Sequence, residues 1–528
     1  MKLLLQSASV VALAVALAAC QTEVPQVLAP KYVPSNFSSP TVSSAQVWPA
    51  AEWWKSFNSD EMAGFVAAAQ TDNLDMAAAA ARVLEAEQQT DIARSALFPT
   101  IDLEGTAQRS RNGVGGIITD PITGLPKGTK PATTNAFGLT ANATYEIDLW
   151  GKARANLRSA DELLKASQYA QEVVALTTVS AVATTYLDVL ALRERIEIAH
   201  QNEDAARRIL TIVQAKVANG VSSRLDLAQQ QAVLAAVQSA IPPLEEQERE
   251  ARYALGILLG RVPEGLVVEA KNLNGIAVPA IAPGLPSELL RRRPDVAEAE
   301  ANLASAHANV DAARAAFFPD LSLTGSGGVA SSTIGSLFKN GAFGWGIGAS
   351  LLQTIFDGGL LASQFDLTKA QQEELVATYR STVLNALSDV ETTLGQVSSL
   401  ADQERYKRDQ VNASAEAFRI SELQYREGVT DLLNLLTAQQ TLFTAQDELV
   451  QIKLARIQAD VGLFKALGGG WSQVPDAVTQ SLPAQTTPVA APPPTASPQP
   501  SSTAPVPATP QLQPAQPSDS GTAPPPRR

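Results

Sequence analysis

Two hydrophobic periodicities alternate along this chain, and each occurs twice. Between Gly151 and Gly220 there is neither proline nor glycine, and Ala, Leu, Gln, Glu and Arg recur throughout. These are strong helix formers, so the stretch predicts a single helix on the order of 100 Å long at about 1.5 Å per residue. Leu360 to Glu427 repeats the pattern, with no proline and only Gly395. Each long stretch ends at a glycine, Gly220 or Gly428, and apolar positions at helical spacing resume at once. They are Leu225, Leu227, Val233 and Leu234, then Leu432, Leu433, Leu435 and Leu436. A glycine that closes one helix beside a Ser or Thr that opens the next predicts a helical hairpin. Pro242-Pro243 predicts a kink or break in the first returning helix, with no counterpart in the second.

A period of two takes over where the helices stop. It runs through Ile101 to Ala107 and Phe137 to Ile147, then through Leu321 to Gly325 and Phe343 to Leu351. Alternating segments of about ten residues, separated by turn-rich loops such as 111–134, predict strands of an outer-membrane barrel. Four strands cannot close a barrel, and an open edge cannot sit in lipid because its backbone groups would be unpaired. The strands must therefore be shared between copies of the chain. Three copies, giving twelve strands, is the simplest symmetric closure.

The halves are duplicates. Asp91 to Pro99 returns as Asp311 to Pro319, an offset of 220 (319 − 99), and the tip Gly220 returns as Gly428, an offset of 208 (428 − 220). A repeat this large is two copies of a supersecondary unit, not a short-period solenoid.

At the N-terminus, Lys2 precedes a mostly apolar run from Leu3 to Ala19, closed by Leu17-Ala18-Ala19-Cys20. Such a run is a secretory signal, too short to span a bilayer. The closing residues resemble the lipobox of bacterial lipoproteins, which implies a covalent lipid on Cys20, and Gln21 fits sorting to the outer membrane. No other unbroken apolar run of about 18 residues occurs, so no transmembrane helix is expected after cleavage.

Cys20 is the single cysteine, and His200 and His307 are the only histidines. That inventory leaves almost nothing for a metal or nucleophile–base site, so no enzyme activity, no metal and no cofactor besides the lipid are expected. A formal net charge of −13 argues against nucleic acid as a partner. The predicted organisation is a signal peptide (1–19), a lipidated linker (20–49), a first repeat (50–280), a second repeat (281–475) and a Pro-rich disordered tail (476–528).

Gly284-Leu285-Pro286-Ser287-Glu288-Leu289-Leu290-Arg291-Arg292-Arg293-Pro294-Asp295-Val296 closely resembles a segment of the outer-membrane efflux factors, the TolC/OprM type and its NodT-like lipoprotein branch. Trp53-Trp54-Lys55-Ser56-Phe57, Tyr145 to Gly151 and Phe356-Asp357-Gly358-Gly359 match further landmarks of that branch. The resemblance implies a mainly α fold with a membrane β-barrel portion, in which the duplicated hairpins form a periplasmic α-barrel below a trimeric twelve-stranded barrel. It implies a homotrimer, a periplasmic membrane-fusion adaptor and an inner-membrane transporter of the resistance-nodulation-division class as partners. The tips Asn219, Gly220, Val221 and Ser222, and Glu427, Gly428, Val429 and Thr430, would meet the adaptor. Leu433, Asn434, Thr437 and Gln440 would close the periplasmic mouth, with Leu433 as the constriction and Asp226 and Asp431 as candidate acidic lining. Members often carry aspartates where Asn434 and Thr437 stand, so this mouth departs from the pattern. The implied function is the exit duct of a tripartite pump for drugs or other small solutes. Alternatives are a duct for protein secretion with an ATP-driven exporter, or a lipid-anchored coiled-coil scaffold.

Overall fold

The computed structural model describes residues 37–38, 49–112, 117–119, 126–128, 132–279 and 286–471. The leader, Cys20 and the Pro-rich tail lie outside them. Helices α1 (Asp60–Asp72) and α2 (Leu74–Ser95) lead into strands β1 (Thr100–Asn112) and β2 (Ala132–Ile147). The first hairpin follows as α3 (Lys152–Ala218) and α4 (Arg224–Leu258). The second half repeats the order with α5 (Pro294–Ala315), β3 (Asp320–Ser331), β4 (Phe343–Leu352), α6 (Leu360–Glu427) and α7 (Leu432–Ala466).

The two long helices have 67 and 68 residues, and each returns through a helix of 35. Both start by the same device. The Asp148 carboxylate accepts the N–H groups of Ala153 and Arg154, and that of Asp357 accepts those of Gly359 and Leu361. Each satisfies first-turn donors that the helix itself leaves unpaired. The turn from helix to strand is also made twice, with Leu97 and Phe98 donating to Arg94 and Ser95, and Phe317 and Phe318 to Arg314 and Ala315.

The four strands form one antiparallel sheet in the order β1-β2-β3-β4. Thr100 pairs with Thr144, Tyr145 with Leu323, and Leu323 with Ala349. The β2–β3 ladder therefore joins the halves, and β1 and β4 are left as edges. The strands run further than the alternation indicated. The loop read over 111–134 contains the ends of β1 and β2 and a short antiparallel ribbon, Ile117–Thr119 with Pro126–Gly128. Turn-forming residues there masked a ladder that backbone pairing sustains.

Pro242 and Pro243 do not break their helix: α4 is continuous through both. Two adjacent backbone hydrogen bonds are forfeited, but the flanking Ile241 and Leu244 are buried and hold the segment in place. Packing supplies most helical stability in proteins, so it can override a local breaker. One segment of α3 is also long and apolar enough to pass for a membrane span, although polar residues interrupt it. Its Val182, Ala183, Leu187 and Leu190 are instead buried in the core.

That core lies midway along the long helices. Trp53 stacks on Phe464 at 5.0 Å, and Phe57, Tyr186 and Leu190 are buried around them. The connection after α4 is pinned to the same level. Arg193 donates to the carbonyls of Val268 and Ala270, while Glu61 accepts the N–H groups of Glu269 and Ala270. Asp460, inside this layer, is 1% exposed with one carboxylate oxygen unpaired, and burial pushes its pKa up to about 7.

Candidate functional site

Among the described residues, those expected to carry function gather at one end, where the two hairpins turn. At the first tip, Gly220 adopts φ +73°, Gly220 N–H reaches the Val217 carbonyl and Val221 N–H reaches Lys216. At the second tip, Gly428 adopts φ +80°, with Gly428 N–H on Tyr425 and Val429 N–H on Gln424. Both are the left-handed glycine closure that satisfies the last helical carbonyls. Asn219 caps α3, its side-chain amide donating to the Ala215 carbonyl. Val221 and Val429 are more than two-thirds exposed at the turns, and Glu427 is exposed beside Gly428.

The returning helices begin with carboxylates used as caps. Asp226 and Ser223 form a reciprocal capping box, and Ser222 donates its hydroxyl to the same Asp226 carboxylate. The Ser222 hydroxyl, followed by the Ser223 N–H, holds the Asp226 carboxyl below the usual carboxylate range. Asp431 caps α7 by accepting the Asn434 N–H at 3.0 Å. Asn434 in turn donates its side-chain amide to the Thr430 hydroxyl. The two acids proposed as lining are thus engaged at helix N-termini, where an anion is favoured by the unpaired amides and the dipole.

Leu433, Asn434, Thr437 and Gln440 all lie on one exposed stripe of α7, at steps of one, three and three residues. Leu432 and Leu435, from the same turns, are buried on the opposite side. Thr437 returns its hydroxyl to the Leu433 carbonyl, and Thr441 continues the stripe in the same way to Thr437. The stripe presents hydroxyls, amides and one leucine, with no charge between Leu433 and Thr441.

Two features escaped the sequence reading. Lys216, in the last turn of α3, donates to the Tyr425 carbonyl and sits 4.6 Å from the Tyr425 ring centroid. It ties the two hairpins together across 209 residues, at a helix C-terminus where a cation is favoured. Arg293, within the arginine-rich segment, is a hub: its side chain is only 12% exposed. It forks onto Asp295 at 2.7 and 3.0 Å, and reaches Asp389 of α6 and the Ala466 carbonyl of α7 at 3.1 Å. The segment is the clamp that locks the start of α5 to both helices of the second hairpin.

Barrel-type strands on top of two hairpins of this length define a channel protein that joins an outer membrane to the periplasm. Comparison with known proteins agrees. The family model described as outer membrane efflux protein matches residues 66–261 and 285–469. The pyoverdine export outer membrane protein OpmQ of Pseudomonas aeruginosa is 39% identical, over 80% of this chain and 87% of its own. Its counterpart in Pseudomonas putida is 38% identical, over 87% of this chain and 96% of its own. The crystal structure of the Neisseria gonorrhoeae MtrE outer membrane channel in its open state matches with a TM-score of 0.73 and 27% identity, over 85% of this chain and 97% of that one. The chain belongs to the outer membrane efflux protein family. It is an outer-membrane channel component of an efflux system.

Proposed function

We propose that three copies of the chain close one duct that carries small solutes from a periplasmic pump assembly to the outside. The observation that carries this reading is the open sheet. Among the described residues, strands β1 and β4 each leave an edge without a partner, while Ile101, Leu103, Trp345, Ile347 and Leu351 expose large apolar side chains. Lipid covers apolar side chains but cannot satisfy backbone donors and acceptors. Pairing β1 of one copy with β4 of the next removes every edge at once.

In this assembly the hairpin tips, Asn219 to Ser222 and Glu427 to Thr430, meet the periplasmic adaptor, and an inner-membrane resistance-nodulation-division transporter loads the duct. The stripe from Leu433 to Gln440 closes the mouth, with Leu433 as the apolar constriction. Asp226 and Asp431 add acidic character at its rim. A lipid on Cys20 anchors the N-terminus to the outer membrane. The OpmQ relatives are named for export of pyoverdine rather than of a protein, which favours a solute over a folded protein as cargo.

Deleting the gene is expected to sensitise the cell to a panel of dyes, detergents and antibiotics, and restoring it to reverse the effect. Unchanged susceptibility across the panel, in a strain without a second duct, would overturn efflux of such compounds.

A further inference from the structure

Beside the tips, buried polar atoms without protein partners sit in a layer that is otherwise apolar. Gln439 is fully buried, and neither the nitrogen nor the oxygen of its side-chain amide reaches a partner. The Tyr425 hydroxyl and the Gln230 oxygen are likewise unpaired, although the Gln230 nitrogen donates to the Ala206 carbonyl at 2.9 Å. These residues belong to α7, α6 and α4, three of the four helices that meet at this end. The apolar cluster there joins Ile209 and Val213 of α3 to Phe418 and Tyr425 of α6 and to Leu432, Leu435 and Leu442 of α7. Gln439 continues the same buried stripe, since 432, 435, 439 and 442 follow steps of three, four and three. That is the seam spacing of packed helices, in which a polar residue costs stability and changes how the helices choose to associate.

An amide buried without a partner weights the equilibrium against the arrangement that buries it, by a factor of roughly 5 to 100. Leucine at this position would complete the seam. We propose that Gln439, assisted by Gln230 and Tyr425, marks the layer at which the two hairpins part when the periplasmic mouth opens. Its polar atoms go unsatisfied only while the hairpins are packed, and separation gives them water. The Lys216 contact with the Tyr425 carbonyl pulls the other way and holds the packed state at rest. This proposal rests on the channel reading above.

The test is conductance of the purified full-length protein in planar lipid bilayers in potassium chloride. Wild type is expected to show conducting intervals. In Gln439→Leu, the conducting fraction falls about tenfold with unchanged conductance per open channel. Gln446→Leu is the control: its side-chain oxygen is also unpaired and buried, but it lies outside the tip cluster. It is expected to conduct like wild type. If Gln439→Leu fails to assemble, Gln439→Met, closer in shape, carries the same expectation. A conducting fraction equal to or above wild type in the Gln439 variant, or an equal fall in the Gln446 variant, overturns the proposal. Absence of conductance in wild type would overturn it as well, since an amide that weights the packed state against itself should leave conducting intervals.

Discussion

Replacing Arg293 with alanine is expected to cost about 2–4 kcal/mol of stability, the effect of removing a mostly buried cation from its hydrogen-bonded partners. Its guanidinium closes on Asp295, Asp389 and the Ala466 carbonyl, so one side chain joins three helices. Asp389 is half-exposed, which lets water replace part of its share, and the figure is set below the upper range for buried pairs for that reason. The position cannot shift to compensate. Gly468 passes so close that a Cβ there would lie 1.9 Å from the Arg292 carbonyl oxygen, and it holds φ +88°. Arg293→Lys keeps the charge but loses the planar fork, and should recover less than half of the loss. The check is the temperature at which the detergent-extracted oligomer dissociates, compared among the three proteins. An alanine variant that dissociates with wild type would show that the clamp is dispensable.

Gly428→Pro is expected to abolish export while leaving the barrel in the membrane. Proline fixes φ near −65°, whereas Gly428 sits at +80°, and proline also lacks the N–H that reaches the Tyr425 carbonyl. The closure of α6 would unwind, and with it the exposed Val429 and the Asp431 cap of α7. The Lys216 tie would go too, because its acceptor is the same Tyr425 carbonyl. Gly428→Ala should be milder: it keeps the N–H, nothing stands within 4 Å of the added Cβ, and the cost is mainly that of a left-handed non-glycine residue, about 1 kcal/mol. In the deletion strain, the proline variant should fail to restore resistance at wild-type levels of outer-membrane protein, and the alanine variant should restore most of it. Full resistance with Gly428→Pro would mean the second tip takes no part in coupling to the pump.

Much of the architecture was legible because it rests on local pattern. The long helices, the glycine turns and the period-two segments are each written in adjacent residues, and the structure places all of them, with the strands longer than the alternation indicated. The tip stripe was legible from the resemblance, and α7 does bring Leu433, Asn434, Thr437 and Gln440 onto one exposed face. What could not be read depends on contacts between distant residues. Arg293 meets Asp389 across 96 positions and Ala466 across 173, and Lys216 meets Tyr425 across 209. No spacing announces those partners. The proline pair does not end its helix, for the related reason that tertiary packing at Ile241 and Leu244 outweighs a local preference. A cap and a lumen-facing carboxylate have the same sequence, so the hydrogen bonds of Asp226 with Ser222 and Ser223 and of Asp431 with Asn434 could be read only from the structure.

The central claim is that the open sheet closes only in a ring of copies. Native mass measurement of the protein extracted from the outer membrane in mild detergent tests it most directly. Three chains, reverting to one on heating, is the result expected from edges at β1 and β4 that pair between copies. A stable species of one chain that still conducts would contradict it, since four strands cannot close a lipid-facing barrel; a conducting species of two chains, with eight strands, would instead contradict the number three.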